Sequence, residues 1–353
     1  MTRSLRWDMD GLAIETWGRI ARGDARGIRL REDTITETNL LDLDMWHPNL
    51  RVHRFNQTAE NVVGGDWDWF LGSGNSWFRL RIQAKRMDDL EYRQLQHEGA
   101  LGDSYQYDTL IRVSEAERIP TFPYYVFFNG WRGWPAGVQW HGCPGGRTLA
   151  NCIHASMREF GCSAIPARLV RAIHAGRGVA GRQVTEYLPW SVPWSWLFGP
   201  DPVRSVANPR SPKRVVTVPP STGARDWGDR HGAPRNPTVH EALRWHRSID
   251  AVTRRLEGGL SDLSVTGDLW GLVRAEYGRQ GRDGPAKDRD DLEMLGPLPP
   301  YVAVLLQDRG SASEVDLQAE FASQLGAAPR TVILTELELD NGVDGTGFGA
   351  LPS

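Results

Sequence analysis

The chain has 353 residues, 40% of them hydrophobic and 24% charged, with a formal net charge of −3. These are globular averages, enough for one large domain or two ordinary ones, and they exclude a collagen-like or disordered chain. The longest apolar runs, such as Tyr301 to Leu306, fall far short of the roughly 18 residues a membrane span needs. No apolar signal core follows Met1–Asp8, and three cysteines do not make a disulfide framework. The expectation is a soluble protein of a reducing cytoplasm, with no membrane partner. Of 41 basic residues only Lys85, Lys213 and Lys287 are lysines. Codon usage in a GC-rich genome explains that bias without any function, and it leaves Lys85 conspicuous. A near-neutral chain can still carry a local basic patch, so net charge neither supports nor excludes a nucleic-acid partner.

Residues 10–23 place Ala13, Trp17 and Ile20 on one helical face. A second helix is predicted from Thr34, with Glu37 at capping-box spacing, to about His47, where Pro48 stops it. Short alternating runs at 51–60, 65–71 and 76–85 read as strands, the last two joined as a hairpin through Gly72–Asn75. A helix over 104–118 carries Tyr107, Leu110 and Ile111, and Pro123–Asn129 reads as a buried strand. Helical stretches at 147–160 and 166–175 are expected to cover the sheet. Residues 199–238, dense in Pro, Arg, Gly and Asp, read as a loop or linker. The organisation expected is therefore a core over 1–198, the linker, and a C-terminal α/β extension over 239–353 that packs on the core or recognises the target. That extension holds a helix at 239–256, with Trp245, Ile249, Val252 and Leu256 on one face, and strands at 299–307 and 330–338.

The segment that carries chemistry is the hairpin. In its second strand Phe78, Leu80, Ile82 and Ala84 share one face, so Gln83 and Lys85 share the other. A two-residue Gly74-Asn75 turn pairs Ser73 with Ser76, and counting outward sets Asp68 opposite Arg81 and Asp66 opposite Gln83. Directly opposed residues point to the same face with Cβ atoms about 4.5–5.5 Å apart. An acid, an amide and a lysine thus converge. A carboxylate and an amide oxygen are hard ligands suited to Mg²⁺, which keeps several waters, and a lysine beside them can orient water or neutralise charge on a phosphate. A solvated strand face that happens to carry Gln and Lys is the structural alternative. Trp67 and Trp69 alternate with the acids and belong on the core face.

The hairpin and its surroundings resemble the PD-(D/E)XK nuclease superfamily in its Gln-x-Lys variant. The matching positions read Glu60, Gly65-Asp66-Trp67, Gln83-Ala84-Lys85 and Gln106, with Gly65 where an uncharacterised bacterial subgroup of that superfamily has Ala. The resemblance covers about residues 34–130 well and 130–200 loosely. It implies an α/β fold with a restriction-endonuclease-like core: a central mixed sheet of four to six strands flanked by helices, with a C-terminal elaboration. It implies Asp66 as principal metal ligand, Gln83 as a second through its oxygen, and Lys85 as the water-orienting or charge-neutralising group. Glu37 matches the helix acid that many members use as an extra ligand, against a capping role in its own helix. Glu60 competes for that place, Asp68 can also reach the metal, and Gln106 positions or contacts DNA. The implied function is a Mg²⁺- or Mn²⁺-dependent DNA endonuclease of restriction or anti-phage type, as a homodimer or with a defence partner. RNA cleavage on the same fold, or a silent nucleic-acid- or protein-binding module, are the alternatives.

His141, Cys143, Cys152 and His154 suggest a zinc cluster, but positions two apart on a helix point about 200° away from one another, so core cysteines are the better reading. Cys162 is read the same way. The aromatic run Trp190–Phe198 suggests base stacking or, better, core filling. The arginines of 204–235 form either a phosphate-tracking loop or a solvated one. There is no phosphate-binding P-loop, dinucleotide fingerprint or Gly-x-Ser-x-Gly elbow.

Overall fold

The computed structural model describes residues 4–54, 65–96, 105–131, 138, 140–142, 157–177, 182–199, 236–256, 269–281, 293–307 and 331–339. In chain order they form α1 (Leu5–Asp24), α2 (Glu32–Trp46), β1 (Leu50–Arg54), β2 (Trp67–Ser73), β3 (Ser76–Arg86), α3 (Gln106–Glu115) and β4 (Thr121–Phe128). Then come β5 (Cys162–Pro166), α4 (Ala167–Arg177), α5 (Val184–Tyr187), β6 (Val192–Pro193), α6 (Val239–Leu256), α7 (Leu269–Gln280), α8 (Pro300–Gln307) and β7 (Thr331–Glu336). No helix among the described residues is long and apolar enough to cross a membrane.

One mixed sheet of seven strands organises the fold, in the order β1-β7-β2-β3-β4-β5-β6. The β2–β3 hairpin has the expected register, with Ser73 paired to Ser76, Asp68 to Arg81 and Trp67 to Ile82. Gly74 sits at φ +56°, which an L side chain tolerates poorly, so this glycine makes the two-residue turn possible. β3 also pairs with β4 in parallel, setting Gln83 beside Tyr125 and Lys85 beside Phe127. The strand is buried on both faces. Trp67, Trp69, Leu80 and Ile82 look into the main core, while Phe70 and Trp77 on the other face meet Tyr301, Val302 and Leu305 of α8.

The main core is closed by α6 and α1. The start of α6 is a reciprocal capping box in which Glu241 Oε2 accepts from the Thr238 amide and Thr238 Oγ1 from the Glu241 amide. Its buried stripe includes Trp245, His246, Ile249 and Val252. α1 packs close enough to the chain entering β5 that a Cβ on Gly161 would stand 1.9 Å from the Ala13 carbonyl oxygen. Trp194 and Trp196 are buried, with the Trp194 indole donating to the Met9 carbonyl, so the core reading of that aromatic run holds for them. Cys162 is buried as expected.

Several elements differ from expectation, and β5, β6 and α7 stand where no element was predicted. Residues 299–307 are not a strand but α8: Pro300 opens it as a first helical residue, and Tyr301, Val302 and Leu305 are buried at helical spacing. A short apolar run fits either structure, which is why alternation alone misreads it. The sheet also has seven strands rather than four to six, and β7, from the expected C-terminal extension, lies between β1 and β2. It runs antiparallel to β1 and parallel to β2.

His246 ties the layers together: Nε2 donates to the Leu197 carbonyl at 2.7 Å and Nδ1 accepts from the Tyr124 hydroxyl at 2.8 Å. Burial pushes its pKa down to about 3, with the Leu197 bond opposing weakly. Between pH 6.5 and 3 the unfolded chain therefore binds a proton that the folded one refuses, and stability falls as pH falls. The expected loss is about 2 kcal/mol by pH 5. Urea unfolding across that range should show a shallower pH slope in His246→Gln, and an unchanged slope would refute this role.

Candidate functional site

β3 outruns its partner. Pairing with β2 begins at Trp67, and Asp66 adds one further bond from its amide to the Ile82 carbonyl. Beyond that point the amides of Ala84 and Arg86 still face the β2 edge, because residues two apart in a strand present their backbone to the same side. Two carboxylates take the place of the missing strand. Asp66 Oδ2 accepts from the Ala84 amide at 2.6 Å, and Glu32 Oε2, from the first residue of α2, accepts from the Arg86 amide at 2.7 Å. Two residues of strand rise separate those amides, roughly 7 Å. Lys85 lies between them in sequence and shares the Gln83 face, 4% exposed.

Gln83 and Gln106 complete the group. Gln83 Nε2 donates to Asp66 Oδ2 at 2.5 Å and to the Ala84 carbonyl at 3.2 Å. Gln106, the first residue of α3, donates from Nε2 to Gln83 Oε1 at 2.7 Å, and its own Oε1 is buried with no hydrogen-bond partner. Four elements thus meet: the end of β3, the residue before β2, and the first turns of α2 and α3. Asp66, Glu32 and Gln106 all keep part of their surface open to solvent.

The electrostatics are those of excess acid in a confined space. Burial pushes the Glu32 carboxyl up to about 8; Lys85 opposes this, while Asp66 adds to it. Burial also raises Asp66, again with Lys85 as the main opposing influence, followed by its bonds from Ala84 and Gln83. Exposed Asp33 raises both. Asp68, one pleat along the same face, has the opposite fate. Burial would raise it, but the Arg79 and Arg81 guanidiniums outweigh burial and hold it below the usual carboxylate range. Arg79 Nη1 donates to Oδ2, and Arg81 donates from Nε to Oδ1 and from Nη2 to Oδ2, each at 2.9 Å. Glu117 closes this network from 2.6 Å and 3.0 Å.

Of the residues expected at the site, Asp66, Gln83, Lys85 and Gln106 come together. Glu37 does not join them: it pairs with Arg54 of β1 at 2.6 Å, and β7 and β2 lie between β1 and β3. The physical reason is the start of α2. The helix begins at Glu32 rather than Thr34, with Arg31 as its N-cap, so no capping box forms at Thr34. Glu37 falls five residues on, about 140° around the helix from Glu32. The acids missed were therefore Glu32 and Asp33, whose one signal was acidic residues at a helix start. Asp68 is held by its arginines, away from the Asp66 group. Glu60, Cys143, Cys152, His154 and the arginines of 204–235 lie outside the described residues; His141 stacks on Trp190, ring centroids 3.9 Å apart.

The fold and this cluster define an α/β protein with a mixed sheet whose central strand carries a confined acid–amide–lysine group. Residues 6–336 match the model of a family of unknown function, DUF6615, and the chain belongs to that family. No curated protein matches it.

Two stability measurements separate the two acidic environments. Glu32 has a folded pKa above its ordinary value of 4.5, so its burial destabilises the fold above pH 4.5 and is neutral below it. Glu32→Gln, which can still accept from Arg86, should gain roughly 2 kcal/mol at pH 7 and nothing at pH 4; a loss at pH 7 would contradict the burial argument. Asp68→Ala should cost about 3–5 kcal/mol, because it strands two buried guanidiniums, and a change under about 1 kcal/mol in urea unfolding would rule that out.

Proposed function

We propose that this protein is a metal-dependent endonuclease that hydrolyses DNA phosphodiester bonds, of restriction or anti-phage type. The observation that carries the reading is the convergence of Asp66, Gln83 and Lys85 on one strand face, joined there by a carboxylate from α2 and an amide from α3. A divalent cation fits this group on the evidence of its charges. Two carboxylates are driven up in pKa by burial with Lys85 as the cation opposing the rise, and a hard dication relieves that situation. Among the described residues no three His, Cys, Asp or Glu side chains are grouped closely enough to hold a metal unaided. Two carboxylates with waters are a usual complement for Mg²⁺, which favours Mg²⁺ or Mn²⁺ over a fully protein-caged ion. Asp66 and Glu32 would hold it, with the Gln83 amide adjoining. When bound, such an ion polarises a phosphoryl oxygen and lowers the pKa of a water.

The protein's own part follows from position. Lys85 extends from the same face as Asp66 and is 4% exposed, and burial of that kind strengthens its field. Its ammonium donates to a non-bridging phosphate oxygen and offsets the charge that grows as water attacks phosphorus in line. No side chain of the group is placed as a covalent nucleophile, so hydrolysis proceeds by direct water attack and the bridging oxygen leaves. A homodimer that cuts both strands is proposed by analogy with such nucleases.

Plasmid nicking and linearisation with Mg²⁺, Mn²⁺ or EDTA tests the reading. Cleavage should need metal and fall at least about 10²-fold in Lys85→Ala and in Asp66→Asn. Wild type inert on plasmid would remove the DNase reading, with single-stranded RNA as the parallel substrate that separates a ribonuclease from a silent module. Variants that cut like wild type would remove the site.

A further inference from the structure

The orientation of the Gln83 amide is fixed by its neighbours. The atom 2.5 Å from Asp66 Oδ2 also stands 3.2 Å from the Ala84 carbonyl oxygen. A carbonyl oxygen only accepts, and Asp66 Oδ2 is already accepting from the Ala84 amide, so the atom between them is the nitrogen. Gln83 therefore presents a donor to Asp66 and turns its oxygen to Gln106. An oxygen ligand role for Gln83 requires the amide to reverse. Reversal by Gln83 alone would set its nitrogen against the Gln106 nitrogen, donor to donor. Gln106, however, holds a buried Oε1 with no partner on its other side. If both amides turn over together, Gln106 Oε1 accepts from Gln83 Nε2, and Gln83 Oε1 faces Asp66.

We propose that Gln83 and Gln106 are a coupled pair of positioning residues that set the state of Asp66. In one arrangement the donors of Gln83 and Ala84 cap Oδ2, and Gln106 holds Gln83 to that task. In the other, three oxygens face one another, Gln83 Oε1, Asp66 Oδ2 and the Ala84 carbonyl, an arrangement that is repulsive alone and favourable around a divalent cation. Cation uptake and the double reversal are thus linked: a side chain at position 106 that only accepts favours the oxygen-forward state, and one that only donates opposes it. Gln106 acts here wholly through Gln83 and touches no substrate.

This pairing rests on the cation-binding half of the nuclease reading and is tested without cleavage. Mg²⁺ affinity is measured by titration calorimetry for the full chain, Gln106→Glu, Gln83→Met and the double variant. A carboxylate at position 106 can only accept, so Gln106→Glu should tighten Mg²⁺ binding about 5-fold or more, and the gain should vanish in the Gln83→Met background. A gain that persists in the double variant is simple added charge and overturns the coupling, as does no gain at all. In the wild-type chain, Mg²⁺ should shift the side-chain amide NMR signals of Gln83 and Gln106 together; movement of Gln83 alone overturns the pair. Coupled binding without plasmid cleavage would remove the nuclease reading and leave the switch standing. Cleavage without coupling would do the reverse, and absence of Mg²⁺ binding would remove both.

Discussion

The register of the β2–β3 hairpin decides what every other part of the molecule must accommodate. Because side chains alternate across a strand, a slip of one residue would turn Asp66, Asp68, Gln83 and Lys85 into the tryptophan-lined core and bring Trp67, Trp69, Leu80 and Ile82 to the polar face. The two-residue turn at Gly74 excludes that slip locally, and the parallel partners on either side, β7 and β4, exclude it globally. The face so defined carries three environments in succession. Apolar contact with α8 comes first, then the closed Asp68–arginine network, then the Asp66 group where β2 has run out.

Two aspartates one pleat apart show how neighbourhood rather than residue type determines chemistry. Asp68 meets two guanidiniums in bidentate and monodentate bonds and stays ionised in complete burial. Asp66 meets an amide, a backbone donor and a nearby ammonium, and shares its space with Glu32. The first arrangement is closed: every charge has its complement, and nothing further is invited. The second leaves two carboxyls that burial holds back from ionising, with one ammonium opposing the rise, which lowers stability and favours a cation.

Much of this was legible in the sequence because the hairpin signals are local. Gly74-Asn75 fixes the pairing, alternation fixes the faces, and the two together place Asp66 beside Gln83 and Lys85 without any knowledge of the rest. What was not legible depends on partners distant in the chain or on a boundary of one turn. The two-residue error at the start of α2 moved the expected acid from Glu32 to Glu37, since a helix rotates a side chain about 100° per residue. α8 reads as a strand in the sequence because Tyr301–Leu306 is apolar throughout and so shows no period. The place of β7 could not be read from its own residues, because a Val-Ile-Leu run suits any buried strand and nothing in it names β1 and β2 as neighbours.

That placement of β7 bears on how the chain is made. Trp69 and Thr335, joined by an indole–hydroxyl bond, are 266 residues apart. On a ribosome, β1 and β2 emerge early, yet the strand that separates them, Thr331–Glu336, is translated long after both. Until then the sheet cannot close, and the β2 edge that will pair with β7 has no native partner. Contacts of such long sequence separation slow folding and prolong the life of an unpaired edge. A chain that ends before residue 331 lacks the strand that joins β1 to all the others.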